Sequence, residues 1–175
     1  MKTIVVLIWL KVIVIILAVL VVLYLLMIMP RLTNRRERKK FLSVYYAHRG
    51  LHDNETDAPE NSMAAFRRAV EAGYGIELDV QVTKDKIPVV FHDFTLQRVC
   101  GQEGKVCDYT YEELQKFRLC KSSETIPMFE DVLKLVAGKV PLIVELKVEF
   151  TDLSVCEKAD ALLRKYKGLY CMESF

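Results

Sequence analysis

The chain has 175 residues, a formal net charge of +2 and a hydrophobic share of 52%, slightly high for a soluble domain. The hydrophobic excess lies at one end. The basic residues cluster beside that end and are not interleaved with aromatics, which argues against a nucleic-acid binder. Five cysteines, an odd number with no CxxC pair, argue against a disulfide framework or a zinc site and fit a reducing compartment.

Residues 3–29 are apolar except for Lys11, and Val12–Met29 carry no charge. That length suits a helix crossing a bilayer. A cleaved signal peptide would have a shorter apolar region followed by a small-residue motif; here "PRLTNRRERKK" follows. The expected organisation is a transmembrane anchor over 1–30, a basic juxtamembrane linker over 31–43 and a domain over 44–175. Arg31, Arg35, Arg36, Arg38, Lys39 and Lys40 outnumber the basic residues before the span. The positive-inside rule therefore predicts a single-pass protein of the cell membrane with its domain in the cytoplasm. The bilayer is the expected partner, its anionic headgroups meeting the basic linker.

Apolar runs then alternate with amphipathic segments. A strand is predicted over 44–48, leading into "HRG". "NSMAAFRRAVEAG" reads as a helix capped by Asn61 or Ser62, with Met63, Phe66 and Val70 as its stripe and Gly73 at its end. "YGIELDVQVT" and "IPVVFHD" read as strands. Only three residues separate Thr83 from Ile87, too few for a parallel crossover, so the two pair as an antiparallel hairpin. A two-residue turn at Lys84-Asp85 would place Glu77 opposite His92; a three-residue turn shifts the register by one. A short helix follows over 110–118, then "IPMFEDVLKLVAG" with Pro127 in its first turn and Gly138 at its end. "VPLIVELKV" is a buried strand, Asp152 caps a helix reaching about Lys167, and "LYCMESF" begins another strand. The alternation predicts an α/β fold.

Several strands carry polar groups. In "IELDV", Glu77 and Asp79 share one face. Two adjacent carboxylates are costly to desolvate without a cation between them, and Mg²⁺ or Ca²⁺ takes such ligands. An exposed sheet face gives the same alternation. In "IVELK", Glu145 is a candidate third ligand and Lys147 a candidate contact for an anionic substrate; a local ion pair is the plainer reading. His92 and Asp93 close one apolar run, and His48 and Arg49 close another. Ligand sites in parallel α/β folds form at the carboxyl ends of strands. Two imidazoles, two cations and three carboxylates suit phosphoryl chemistry, with acid–base catalysis near neutral pH. No Gly-rich phosphate loop or dinucleotide fingerprint is present, which argues against nucleotide use.

With "HRG…PENS", "ELDVQVTKD", "VVFHDFTLQR", "IPMFEDVL", "PLIVELK" and "ESF" in this order and spacing, residues 44–175 resemble the glycerophosphodiester phosphodiesterases. The resemblance implies a TIM-barrel-like domain of the phospholipase C-like phosphodiesterase type. It also implies metal-dependent hydrolysis of glycerophosphodiesters to glycerol 3-phosphate and an alcohol. His48 and His92 match the acid–base pair. Glu77, Asp79 and Glu145 match the divalent-metal ligands, Arg49 and Lys147 the phosphate contacts, and Glu60 a supporting position. The substrate's own glycerol hydroxyl is then the implied attacking group, with no protein nucleophile.

The sequence departs from the family pattern at "KDK", where "KDG" is usual, and at Met128, where Thr or Ser is common at a helix cap. The larger departure is length. A (β/α)₈ barrel takes about 250 residues, and this chain reaches roughly the fifth strand. The expectation is an incomplete barrel, a fragment of a longer gene product or a truncated gene, whose open edges would aggregate or need a partner such as a complementary barrel half. Two alternatives stand beside the leading reading: lysophospholipase D or phospholipase C-like activity on lipids, and an inactive membrane-associated remnant.

Overall fold

The computed structural model describes residues 2–29, 35–149 and 152–174. Residues 30–34, the end of the expected anchor and the start of the basic linker, lie outside the described residues, as does Phe175. The chain divides into two compact units, residues 1–40 and 41–175. The first holds helix α1 (Lys2–Ile28) and the greater part of α2 (Arg35–Leu42), whose last two residues fall in the second. Ile4–Ile28 is long and apolar enough to cross a membrane, and its side chains are exposed. At 1.5 Å per residue, its length exceeds the roughly 30 Å hydrocarbon core. An N-terminal signal sequence satisfies the same criterion.

The second unit holds a five-stranded sheet. Its strands are β1 (Tyr46–His48), β2 (Gly75–Val82), β3 (Pro88–Val90), β4 (Leu142–Leu146) and β5 (Tyr170–Glu173). The parallel path runs β1-β2-β4-β5, and β3 pairs antiparallel with β2. Val80 pairs with Leu146 on one side and Val90 on the other, so β1 and β3 occupy the same edge of β2 in succession. β1 rises along that edge to His48 beside Glu77. β3 descends it, and Phe91 continues to the Asp79 carbonyl (2.9 Å). The two histidine-bearing segments therefore converge over the middle of β2.

Alternation sorts β2 into two faces. Ile76, Leu78 and Val80 pack with Leu142 and Val144 of β4 against three helices. These are α3 (Met63–Glu71), α6 (Phe129–Val136) and α7 (Ser154–Leu163). Phe66 and Phe129 are fully buried there. Gly75, Glu77, Asp79 and Gln81 take the opposite face. A second cluster, built on Val89, Phe91, Leu96 and Val99, packs the segment between β2 and α6. That segment includes α4 (Gln97–Cys100) and α5 (Tyr111–Leu114); α4 has no counterpart among the predicted elements.

Several local expectations are corrected. The β2–β3 turn has three residues: Thr83 donates to the Ile87 carbonyl and Lys86 to the Thr83 carbonyl. The register is Gln81 opposite Val89, which removes the Glu77–His92 pairing, and β3 ends at Val90, two residues before His92. Lys86 takes φ 62°, the conformation that glycine serves at lower cost. Pro127 precedes α6; the cap is Met128, without a side-chain hydrogen bond, and Ala137 (φ 47°) terminates the helix. Asp152 lies one residue before the α7 cap, Leu153, and accepts from the Ser154 N–H at 3.0 Å; α7 stops at Leu163.

Candidate active site

The site grows from two left-handed turns. After β1, Arg49 adopts φ 57° and aims its N–H at Glu77, 3.0 Å from the carbonyl and 3.1 Å from Oε2. Gly50 follows at φ +83°, where a Cβ would stand 2.9 Å from the Ala65 Cβ, so only glycine fits under α3. Before α3, Asn61 adopts φ 54° and its N–H donates to the Arg49 carbonyl (2.9 Å). Ser62, not Asn61, caps α3 by accepting from the Ala65 N–H. Asn61 is thereby freed to donate from Nδ2 to Asp79 Oδ2 at 2.9 Å.

Glu77, Asp79 and Glu145 bring ligand oxygens within 4.8 Å of one another. Register explains it: Asp79 of β2 faces Glu145 of β4, and Glu77 precedes Asp79 by two. Glu173 of β5 pairs with Glu145 and joins the same face. All eight β2 residues are buried, so the exposed-face explanation of the alternation does not hold. Lys147 Nζ lies 2.7 Å from Glu145 Oε1 and 3.3 Å from Asp79 Oδ1, so the local ion pair is present and is part of the cluster. On the other side, Arg49 Nη1 donates to Glu60 Oε1 (2.9 Å), with Nε 3.7 Å from Asp79 Oδ2.

Three buried atoms in this cluster lack hydrogen-bond partners: the acceptors Asp79 Oδ1 and Asn61 Oδ1, and the donor Arg49 Nε. An orphaned acceptor among three carboxylates fits a hard divalent cation. An orphaned guanidinium donor beside it fits an anionic oxygen. Burial first, then the charges of Asp79 and Glu145, push the Glu77 carboxyl up to about 7. Burial disfavours the Lys147 charge, but the hydrogen bond to Glu145 and the Asp79 charge outweigh it and raise its pKa.

His48 is exposed, with Nε2 3.7 Å from Glu77 Oε2. Partial burial of the ring and the Arg49 charge lower its pKa, keeping the imidazole neutral at pH 7. His92 Nδ1 lies 2.6 Å from Asp93 Oδ1. The Gln81 amide holds that loop, donating to the carbonyls of Phe91 (2.7 Å), His92 (3.2 Å) and Asp93 (2.7 Å). Glu60 is buried, and burial works against its charge; hydrogen bonds from Arg98 and Asn54 prevail and hold its pKa at about 2. His52 is exposed and outside the cluster. Asn61, Gln81, Arg98 and Glu173 were not among the predicted site residues.

A family model for the glycerophosphoryl diester phosphodiesterase family matches residues 48–169. The chain belongs to that family. A glycerophosphodiester phosphodiesterase of Bacillus altitudinis is 41% identical over 115 residues, 62% of this chain and 46% of that protein. A lysophospholipase D of Rattus norvegicus is 34% identical over 155 residues, 81% of this chain and 48% of that protein. The chain thus spans about half the length of these relatives. An Oleispira antarctica phosphodiesterase, solved in complex with the product sn-glycerol-3-phosphate, superposes with a TM-score of 0.68 at 26% identity. The match covers 78% of this chain and 60% of that one. A glycerophosphodiester phosphodiesterase of Thermotoga maritima gives 0.59 at 32% identity, covering 75% and 54%. The sheet is therefore part of the TIM-barrel-like fold of this phosphodiesterase family.

Proposed function

We propose that the chain hydrolyses glycerophosphodiesters to glycerol 3-phosphate and an alcohol. The observation that carries this is the pairing of opposite orphans: Asp79 Oδ1 among three carboxylates, and Arg49 Nε beside them. Such a cluster takes a cation and a phosphate together. Glu77, Asp79 and Glu145 would hold Mg²⁺ or Ca²⁺, a cation that, when bound, supplies charge neutralisation at phosphate oxygens. Arg49 and Lys147 flank the same position and orient the phosphate. Their fixed charges stabilise the charge that develops there without reorganisation.

His48, neutral beside Glu77, accepts a proton from the attacking hydroxyl. His92 engages Asp93 through Nδ1, which leaves Nε2 for proton exchange with the leaving oxygen. Glu60 holds Arg49 in place. The domain limits proposed are 1–30, 31–43 and 44–175, with α1 as a membrane anchor and the domain in the cytoplasm. β1 and β5 each leave one edge unpaired among the described residues, and a complementary barrel half is the partner that fits them.

The test is hydrolysis of glycerophosphocholine. Release of glycerol 3-phosphate, abolished by EDTA and restored by Mg²⁺ or Ca²⁺, is the expected result. His48→Ala or His92→Ala should lower the rate by roughly 10²–10⁴-fold; a rate within about tenfold of the unaltered chain's after either change overturns the assignment. The match to the rat lysophospholipase D supports a second reading, lysophospholipase D activity, and assaying a lysophospholipid beside glycerophosphocholine decides between them.

A further inference from the structure

We infer that Arg98 is a positioning residue of this site: one guanidinium joins the loop carrying His92 to the loop that holds Arg49. The inference rests on the phosphodiesterase reading above and adds a residue to it. Arg98 belongs to α4, in the segment between β2 and α6, outside the parallel sheet. Its Nη1 and Nη2 donate to Glu60 Oε2 and Oε1 at 2.8 and 2.7 Å. Its Nε and Nη2 donate to Asp93 Oδ2 and Oδ1 at 2.6 and 2.8 Å. A planar fork is needed to serve two carboxylates in this way, and an ammonium cannot replace it.

Each carboxylate hands the constraint onward. Asp93 Oδ1 meets His92 Nδ1 at 2.6 Å. Arg98 and His92 both favour its charged form, so Asp93 stays ionised and can only accept; Nδ1 therefore carries the proton and the ring's tautomer is set. Glu60 Oε1 accepts from both Arg98 and Arg49. The chain His92–Asp93–Arg98–Glu60–Arg49 is continuous. Glu60 itself is buried, and its other oxygen accepts from Asn54 as well as from Arg98. Removing the guanidinium leaves Asp93 free to rotate away from the ring and Glu60 with Arg49 as its remaining cation.

The test uses the full chain in detergent micelles. Its three histidines make the ring signals assignable by ¹⁵N NMR, with His92→Asn as the reference. In the unaltered protein, the His92 Nδ1–H should give a slowly exchanging, downfield resonance. Arg98→Ala and the near-isosteric Arg98→Gln should lose it, Arg98→Lys should not restore it, and added ethylguanidinium should restore it in Arg98→Ala. Retention of the resonance in both Arg98→Ala and Arg98→Gln overturns the inference, as does a failure of ethylguanidinium in a variant whose melting temperature matches the unaltered protein.

On glycerophosphocholine, Arg98→Ala should lower kcat on the order of 10²-fold, the scale of one general-acid contribution, with a smaller rise in KM. An unchanged kcat alongside a lost resonance also overturns it. Absence of hydrolysis by the unaltered chain counts against the functional reading, while the resonance still decides whether Arg98 orients His92.

Discussion

Asp79 Oδ1 lies 3.3 Å from Lys147 Nζ and accepts no hydrogen bond, although the carboxylate is completely buried. Buried charges normally find partners with good geometry. An acceptor between Glu77 and Glu145 that meets only the Lys147 ammonium is the position proposed for the cation, and its removal should be read in ligand-dependent stability. In the unaltered chain, Mg²⁺ or Ca²⁺ at 100 times its Kd should stabilise the fold by about 2.7 kcal/mol. Asp79→Asn should abolish that increment. Thermal unfolding of both proteins, with and without the cation, checks it.

Glu77 makes cation uptake depend on pH. Its carboxyl is raised to about 7 in the metal-free protein. Below that pH the cation must displace a proton; above it the site is already ionised. Affinity should therefore fall as pH drops from 8 to 6, with close to one proton released per cation at pH 6 and almost none at pH 8. Calorimetry in buffers of different ionisation enthalpy measures the release. The same shift carries a stability consequence. A carboxyl whose folded pKa exceeds its unfolded value of 4.5 favours the protonated fold, so the metal-free protein should lose stability as pH rises from 4.5 to 7. The loss is about 3 kcal/mol at most.

Glu60 works in the opposite direction. Its folded pKa is held at about 2, below the ordinary 4.5. The stability it contributes is fully present above pH 4.5 and is lost as pH falls toward 2. Glu60→Gln should reduce stability near neutral pH by about 3 kcal/mol, because Arg49 and Arg98 lose a buried counter-charge. It should also flatten the acid limb of the stability profile. Urea unfolding at pH 7, 4 and 3 gives both quantities.

How far the site could be read from the sequence depends on how local its causes are. Period two in "IELDV" puts Glu77 and Asp79 on one face, and the "IVELK" strand brings Glu145 beside them through ordinary parallel register. Asn61 is different. It stands where a cap is expected, and only its left-handed φ of 54° turns the side chain from α3 to Asp79. Arg98 sits on a four-residue helix, too short to show periodicity. Its partners Glu60 and Asp93 are 38 and 5 residues away, and no local pattern records such a bridge. The hairpin register turned on one residue: Lys86 accepts the φ usually left to glycine, so the turn takes three residues.

Gly50 offers a backbone test of the same site. A Cβ there would meet the Ala65 Cβ at 2.9 Å and the Ala65 backbone carbon at 3.0 Å, with φ at +83°. Neither neighbour is the tip of a flexible side chain. Gly50→Ala should destabilise by roughly 1–3 kcal/mol from the backbone conformation alone, and more from the contact. Chemical denaturation measures this loss, and cation binding should weaken with it because Arg49 shares the turn.

Membrane orientation is the last prediction. Six basic residues follow the apolar segment, against two at or before its start. By the positive-inside rule, that asymmetry predicts a domain facing the cytoplasm. The native cysteines report poorly, since all five are half-buried and burial raises Cys100 to about 12. Glu103 is exposed, in the segment between α4 and α5. In host cells carrying Glu103→Cys, a membrane-impermeant maleimide should label the chain only after permeabilisation. Labelling of intact cells would place residues 44–175 outside and reverse the orientation. Recovery of the chain in the soluble fraction, shortened by the apolar segment, would show that Lys2–Ile28 is a cleaved signal and not an anchor.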